Sequence, residues 1–467
     1  MHDHRAWGHF KRSVPQPLAS RWLVAQAPEI DLRNPVESRG RFNEFQRTML
    51  QWSSLHPYTA VHVLKVAAPI TPDRFAEGLN KVLSESGLGS LSIDRKLGTY
   101  HFHRGPQACV PRQVESGRDP MAALSAEIER QLNEPFAFED RFVPFRFFIL
   151  PGTAETHVGI SYFHAIADAE SIGRLLLEIV RSCLAPDPAP VPDQILRPHG
   201  GLMVPLGNPI HAFTRSWAAL RKFQKMRNSY RPPSCEVNDF RNEFISLTFA
   251  QPETAQALTK ARGWNVTLND LCLAALLLAV APLATNRFRT SRSHLSVGCV
   301  VNLRHDLKPG KRDDFGLSLG SFSITHPVPK DISLRELACD IRSETLQVKK
   351  QKLYLAAPLE FRVSRFMFGR MPVEKQRNFY RKSYPVWGSI TNRKVDELCR
   401  SAGIVEVVDY FRAVSAGPAM PFVISVTGID GRLNFGISYK PGVISADKMA
   451  GVIQRFSALL KEPGGAS

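Results

Sequence analysis

The sequence lacks the features of a membrane-spanning, secreted or metal-binding protein. Its longest apolar run, residues 271–284, is shorter than the roughly 20 residues that a membrane-spanning helix needs, and it contains Pro282. The charged residues 1–12 are not followed by the apolar core of a secretory signal. The seven cysteines are scattered without CxxC spacing. This pattern argues against a disulfide framework and a zinc site, and it predicts a cytoplasmic protein without a bound metal.

The sequence also has few acidic residues relative to basic ones. The chain has 43 Asp and Glu against 60 Lys and Arg, which gives a net charge of +17. An excess of this size indicates an anionic partner. Nucleic acid is not expected, because the sequence contains no RNP, KH, zinc-finger or helix-turn-helix signature. The phosphates of coenzyme A, an acidic carrier protein and an anionic membrane surface are better candidates.

Two segments, residues 212–231 and 349–385, concentrate this charge among apolar residues. One interpretation is a set of ordinary helices, each with a face in the core and a solvated basic face. The other is a basic amphipathic surface that docks on an anionic membrane or on an acidic acyl carrier protein. The sequence leaves both open.

The length of 467 residues predicts more than one lobe. Segments typical of strands and of helices are mixed along the whole chain, so the fold class is α/β or α+β. Seven prolines lie between residues 186 and 209, where neither a helix nor a sheet can continue. We therefore expect a first lobe over residues 1–185, a Pro-rich and basic connection over 186–240, and a second lobe over 241–467.

Three helices are well defined by their first residues and their spacing. Thr71 is a suitable N-cap and Pro72 a suitable first helical residue. After Asp168, apolar residues follow a period of 3.6 up to residue 184. Thr267 and Asp270 have the spacing of a capping box, and the residues after them are apolar nearly all round, which predicts a buried helix.

The most informative motif is a histidine and an aspartate four residues apart, His164 and Asp168, directly after the apolar residues 157–163. The apolar run predicts a strand, so the motif lies where a strand gives way to a helix. A histidine at such a strand end is suited to act as a general base. The alternative is a structural histidine next to an ordinary helix cap provided by Asp168.

A rival nucleophile is suggested by Gly316, Ser318 and Gly320, which fit the Gly-x-Ser-x-Gly pattern of a hydrolase nucleophile elbow. That elbow needs a strand before the serine, a helix after it and a triad histidine further along the chain. Here a charged loop precedes Ser318 and a predicted strand follows it, while His326 is too close in sequence. The pattern therefore does not predict a serine hydrolase.

The His-x-x-x-Asp motif after an apolar strand resembles that of the condensation-domain-like, coenzyme A-dependent acyltransferase superfamily, which is His-His-x-x-x-Asp-Gly. Phe163 stands in place of the first histidine and Ala169 in place of the glycine. The resemblance covers about residues 40–460. The other segments that carry it, in the expected order, are residues 266–275, 300–304, 314–320, 389–392 and 421–439.

The resemblance implies two chloramphenicol-acetyltransferase-like lobes that form a V with an active-site tunnel between them. It implies that His164 is the catalytic base and that Asp168 braces the turn. Arg304 is the implied ion-pair partner of Asp168, and Asn302 a further support of the site. The substrate-binding residues that it implies are Ser389, Asn392 and Phe163.

The function implied is an HxxxD acyltransferase of lipid or secondary-metabolite biosynthesis, which transfers groups other than aminoacyl groups. Its donor is an acyl-CoA or an acyl carrier protein, its acceptor is a small-molecule or lipid alcohol or amine, and no cofactor is tightly bound. We expect a cytoplasmic monomer, peripheral to the inner face of the membrane. The alternatives are a free-standing, amide-forming condensation enzyme and a non-catalytic binding or scaffold protein.

Overall fold

The structure of the protein is a computed structural model. It describes residues 37–103, 109–138, 140–185, 224–232, 241–307, 314–356, 362, 365–366, 368–383, 386–403 and 406–462. Most of the predicted connection, and most of the basic segment 212–231, lie outside these residues. The division of the chain at residues 186–240 therefore stays a prediction.

The first half of the chain alternates strands and helices. Its elements are β1 (Glu37–Arg41), α1 (Glu44–Trp52), β2 (Thr59–Val66), α2 (Pro72–Ser86), β3 (Ser90–Asp94), β4 (Thr99–His103), β5 (Arg112–Gln113), α3 (Pro120–Asn133), β6 (Phe145–Leu150), β7 (Thr156–Phe163) and α4 (Ala169–Leu184).

The second half has the same mixed character, which confirms the predicted fold class. Its elements are β8 (Glu243–Phe249), α5 (Gln251–Gly263), α6 (Leu268–Val280), β9 (Leu295–Asn302), β10 (Leu319–His326), α7 (Leu334–Lys350), α8 (Val373–Ser383), β11 (Gly388–Lys394), α9 (Asp396–Ser401), β12 (Val407–Val414), β13 (Phe422–Ile429), β14 (Arg432–Tyr439) and α10 (Ala446–Lys461). Short 3₁₀ helices cover Ala281–Arg289, Arg304–Asp306 and Leu353–Ala356.

The described strands form three sheets. The first-half sheet has the order β12-β2-β7-β6-β5, the second-half sheet has the order β10-β9-β11-β13-β14-β8, and a small sheet has the order β1-β4-β3. Strand β12 comes from the second half of the sequence but pairs antiparallel with β2, with Arg412 opposite His62. The predicted lobe 241–467 therefore gives one of its strands to the sheet of the first half.

The three predicted helix starts are confirmed. The Thr71 side chain accepts a hydrogen bond from the backbone N–H of Arg74 at 3.2 Å, and Pro72 is the first residue of α2. Asp168 is the N-cap of α4. Thr267 and Asp270 form a reciprocal capping box at the start of α6.

Helix α6 is the centre of the second-half core, as its nearly continuous apolar sequence predicts. It packs between α7 and α10. With the following 3₁₀ helix it forms a stretch, Leu268–Arg289, that is long and apolar enough to cross a membrane by length and composition alone. This stretch is longer than the apolar run 271–284 because a 3₁₀ helix, interrupted by a non-helical residue at Ala284, follows α6. Most of the stretch is buried in the core of the protein, which accounts for its composition.

The buried capping box gives the first testable prediction. The Asp270 carboxylate accepts hydrogen bonds from the Thr267 backbone N–H at 3.0 Å, the Thr267 hydroxyl at 2.6 Å and the Thr345 hydroxyl at 2.7 Å. Asp270→Ala removes one half of the capping box at a buried position, together with the 3.5 Å ion pair to Arg342, so it is expected to cost about 2–4 kcal/mol of unfolding free energy, measured by urea denaturation.

Glu336→Ala is the matched control. Glu336 completes the same kind of box with Ser333 at the start of α7, but at the protein surface. Water replaces the lost partner there, so the loss of stability is expected to be much smaller. Equal losses for the two variants would contradict the assigned role of burial.

Candidate active site

The turn that carries His164 and Asp168 is fixed at both ends. Strand β7 lies between β2 and β6 and is buried along its whole length, and it ends at Phe163. Helix α4 begins at Ala169, the residue that replaces the glycine of the family motif. The backbone N–H of Ile166 donates to the carbonyl of Phe163 at 3.1 Å, which tightens the turn. His164 therefore lies at a strand end, as the sequence predicts.

The His164 imidazole is buried between two tyrosines. It is stacked on the Tyr58 ring, with 5.6 Å between centroids and 27° between planes. Tyr162 meets it edge-on, at a centroid distance of 5.6 Å. Its Nδ1 lies 3.3 Å from the carbonyl oxygen of Ala167. Because a carbonyl can only accept, this contact favours the tautomer with a proton on Nδ1, which leaves a lone pair on Nε2.

Burial controls the protonation state of His164. It lowers the pKa of the imidazole to about 4, and the positive charge of Arg412 acts in the same direction. The Ala167 carbonyl and the Asp168 charge oppose this shift without cancelling it. The imidazole is therefore neutral at pH 7, the form in which a histidine accepts a proton.

Asp168 is fully buried and its carboxylate is surrounded by donors. Its Oδ1 accepts from the backbone N–H of Glu170 at 3.1 Å and of Ser171 at 3.0 Å, and its Oδ2 accepts from the backbone N–H of Ser318 at 2.9 Å. Arg304 Nη2 lies 3.0 Å from both oxygens.

The Asp168 carboxyl stays ionised despite its position. Burial alone would raise its pKa, but the charge of Arg304 and the hydrogen bonds from the backbone N–H groups of Ser171 and Ser318 outweigh burial and lower it. Asp168 and His164 both belong to the described part of the chain, and no hydrogen bond joins their side chains. Asp168 therefore braces the turn without contacting the imidazole as a triad aspartate would.

Arg304 holds several backbone groups in addition to Asp168. Its Nη1 donates to the carbonyl of Asp314 at 2.9 Å, and its Nη2 contacts the Ser171 hydroxyl at 2.7 Å. The Asn302 side chain accepts from the backbone N–H of Arg304 at 2.9 Å and shapes the end of β9. The two residues predicted to support the site therefore lie where the halves of the chain meet beside the His164 turn.

The loop of residues 314–318, directly before β10, also forms hydrogen bonds with the start of α4. The backbone N–H of Asp168 donates to the carbonyl of Gly316 at 3.0 Å, and the Ser171 hydroxyl lies 3.0 Å from the backbone nitrogen of Gly316. Ser318 lies in this loop, directly before β10, with no strand-to-helix elbow around it. The Gly-x-Ser-x-Gly pattern thus belongs to a bracing loop.

The three residues predicted to bind substrate lie in different surroundings. Ser389 is buried on β11, and Asn392 is exposed on the same strand. Phe163 is buried in the core, with its ring centroid 5.1 Å from that of Phe138. Among the described residues, no hydrogen bond or ring contact joins any of the three to His164. Phe163 has a packing role here, and substrate contacts for all three stay predictions.

A second set of buried groups near His164 was missed from the sequence. His62 Nδ1 lies 2.6 Å from the Tyr410 hydroxyl, and the His62 ring packs edge-on against Tyr162, which in turn contacts His164. Arg412 lies opposite His62 and donates to the Thr427 hydroxyl at 2.9 Å. The alternation of side chains along a strand predicts which residues of β2, and which of β12, lie on the same side of the sheet. It does not predict that β12 pairs with β2.

Helix α1 supports the turn from another side. The Gln46 side chain donates to the carbonyl of Ala165 at 2.9 Å, and the Asn43 side chain donates to the carbonyl of Leu317 at 3.2 Å. Among the described residues, no group of three or more His, Cys, Asp or Glu side chains has the arrangement of a metal site. The His164 turn therefore offers the chemistry of a buried neutral base, held in place by contacts from both halves of the chain.

Comparison with known proteins gives the fold its context. No family model matches the sequence, and no curated protein matches it. Solved structures do match over most of their length. The trichothecene 15-O-acetyltransferase TRI3 from Fusarium sporotrichioides has a TM-score of 0.66 and 12% identity, covering 91% of this chain and 96% of that one.

Two further structures are similar. The starter condensation domain of the rhizomide synthetase RzmA, solved with C8-CoA and Leu-SNAC, has a TM-score of 0.62 and 14% identity, covering 91% and 95% of the two chains. Polyketide synthase associated protein 5 from Mycobacterium tuberculosis has a TM-score of 0.59 and 15% identity, covering 91% and 98%. The chain therefore has the fold seen in condensation domains and in the acetyltransferase TRI3.

Proposed function

We propose that the protein is an acyltransferase that moves an acyl group from a thioester to an alcohol or amine, with His164 as the general base. The observation that carries this proposal is the buried, neutral imidazole at the end of β7, on a turn braced by Asp168 and Arg304. His62 and His157 are buried as well, so what distinguishes His164 is its position at the end of β7, on a turn that both halves of the chain brace.

The proposed reaction needs one base and no covalent acyl-enzyme. The acceptor O–H or N–H approaches His164 Nε2, which takes the proton while the acceptor atom attacks the thioester carbonyl. The carbon–sulfur bond of the tetrahedral intermediate then breaks, and the thiolate leaves and receives the proton from the imidazolium. General-base assistance of this kind contributes roughly 10²–10⁴-fold to the rate.

Asp168 and Arg304 are positioning residues in this proposal. The Asp168 carboxylate is occupied by the Arg304 guanidinium and three backbone N–H groups, so it has no role as a base. Its effect on the reaction is to keep the start of α4 and the His164 ring in place.

For the donor we propose an acyl-CoA or an acyl carrier protein, since the net charge of +17 suits phosphate groups or an acidic carrier. The similar RzmA domain was solved with C8-CoA, which supports the first choice. We further propose a cytoplasmic monomer of lipid or secondary-metabolite biosynthesis, with two lobes and the substrates meeting in a tunnel between them.

Amide formation is the second candidate reaction, because condensation domains share the fold at TM-scores like those of the acetyltransferase. A thiol-release assay with a panel of acyl-CoAs, each offered an alcohol and an amine acceptor, separates the two reactions. Product mass then identifies the ester or the amide.

The role of His164 is tested by His164→Ala. Loss of the base is expected to lower thiol release by 10²–10⁴-fold while the chain stays folded by circular dichroism. His157→Ala is the control, because His157 is also buried, at the other end of β7. The control variant is expected to keep its rate. Full activity in His164→Ala would falsify the assignment.

The positioning role of Arg304 is tested by Arg304→Ala. This change leaves the Asp168 carboxylate buried without its cation, so the free energy of unfolding is expected to fall by about 3–5 kcal/mol. The double variant Asp168→Asn with Arg304→Ala removes both charges and is expected to recover part of that loss. The free energies of unfolding of the unaltered protein, the two single variants and the double variant give the coupling energy between residues 168 and 304. If the losses in the single variants simply add up in the double variant, the two side chains do not stabilise the fold as a pair.

The pKa of His164, about 4, predicts the pH dependence of the rate. The neutral form is the base, so kcat/KM is expected to be level at neutral pH and to fall only as the pH approaches 4. The unfolded chain binds this proton near pH 6.5, so acidification between about 6.5 and 4 also favours unfolding. His164→Ala is expected to reduce that slope of stability against pH. A rate that falls by half near pH 6.5 would contradict the role of burial.

A further inference from the structure

A group of exposed apolar side chains lies on α8 and the residues before it. Phe366 is 67% exposed, Met371 39% and Val373 40%. Arg370 and Lys375 are close to these residues in the sequence and are exposed as well. We call these five residues the docking face.

The charge around the docking face is strongly one-sided. Between residues 362 and 382 the sequence has seven Lys or Arg and one acidic residue, Glu374. Arg370 lies over the Phe366 ring, 4.9 Å from its centroid. Among the described residues, no carboxylate forms an ion pair with Arg370 or Lys375. Cations and apolar side chains are therefore presented together.

The docking face is tied to the helix that supports the His164 turn. Arg365 forms a 2.8 Å ion pair with Glu44 of α1, and the Gln51 side chain of α1 donates to the Gln376 side chain of α8 at 2.8 Å. The same helix α1 contacts the turn, through the Gln46 side chain and the carbonyl of Ala165 at 2.9 Å. One helix thus connects the docking face with the candidate active site.

We propose that the docking face binds an anionic membrane and holds the candidate active site beside a lipid substrate. The cations are attracted to anionic headgroups, and the apolar side chains enter the boundary between headgroups and acyl chains. This rests on the proposed function, and it names the substrate class as a membrane-borne acyl donor or acceptor.

An acidic carrier protein would also be attracted by the cations. The apolar members of the docking face favour the membrane, because insertion removes Phe366, Met371 and Val373 from water. An acidic carrier protein would have to supply an apolar patch of its own to bury these side chains.

Vesicle flotation of the full chain tests this proposal. Vesicles of phosphatidylcholine with phosphatidylglycerol are expected to carry the protein to the top of the gradient at low salt. Vesicles of phosphatidylcholine alone are expected to carry much less. Arg370→Ala and Lys375→Ala are each expected to weaken partitioning about five-fold. Phe366→Ser is expected to weaken it on the anionic vesicles as well.

Two control variants match these changes in residue type and exposure. Leu97 is 62% exposed on the turn between β3 and β4, and Lys448 is exposed on α10. Leu97→Ser and Lys448→Ala are expected to float like the unaltered protein. His164→Ala is expected to do the same, because flotation does not require turnover. Flotation therefore tests membrane binding by the docking face, and thiol release tests the proposed acyl transfer. Either proposal can be contradicted without the other.

Three outcomes would overturn the proposal. The first is no flotation on anionic vesicles, and the second is flotation that the docking-face variants leave unchanged. The third is capture of a purified acyl carrier protein, lost in Arg370→Ala and Lys375→Ala, by a chain that does not bind vesicles. That outcome assigns the same face to the carrier.

Discussion

The buried ion pair between Asp168 and Arg304 is the interaction on which the candidate site depends. It joins residues 136 positions apart in the chain. Because removing two charges from water is costly, a buried pair needs further hydrogen bonds to its donors and acceptors. Here the backbone N–H groups of Ser171 and Ser318 donate to the Asp168 carboxylate. The Asp314 carbonyl accepts a hydrogen bond from the Arg304 guanidinium. The turn with His164 is therefore held by both halves of the chain.

This pairing also separates the protonation states of two neighbouring groups. Asp168 is ionised because a cation and backbone N–H groups surround its carboxylate, whereas His164 is neutral because burial is the largest influence on its ring. If Asp168 accepted a hydrogen bond from the imidazole, its charge would raise the pKa of His164 further. In the proposed reaction, the environment of each group, more than its residue type, gives Asp168 a positioning role and His164 a role in proton transfer.

Local signals in the sequence predicted the local parts of this structure. The caps Thr71 and Thr267 and the helix after Asp168 were predicted from spacing, because caps and amphipathic stripes depend on neighbours in the chain. The partner Arg304 came from the family resemblance. The stacking of Tyr58 on His164, and Arg412 opposite His62, were not predicted, because strand alternation does not say which distant strand is the neighbour. Strand β12 is an example, because its neighbour β2 lies in the first half of the chain.

The place of β12 has a chemical consequence for the proposed reaction. It brings the buried cation of Arg412 near enough to His164 to disfavour the imidazolium. An imidazolium with a pKa of about 4 is a much stronger acid than a thiol, whose pKa is about 8.5. A proton taken from the acceptor therefore passes readily to the leaving thiolate. Burial thus makes His164 a weaker base for the first proton transfer and a stronger acid for the second, and the proposed reaction uses this one residue for both steps.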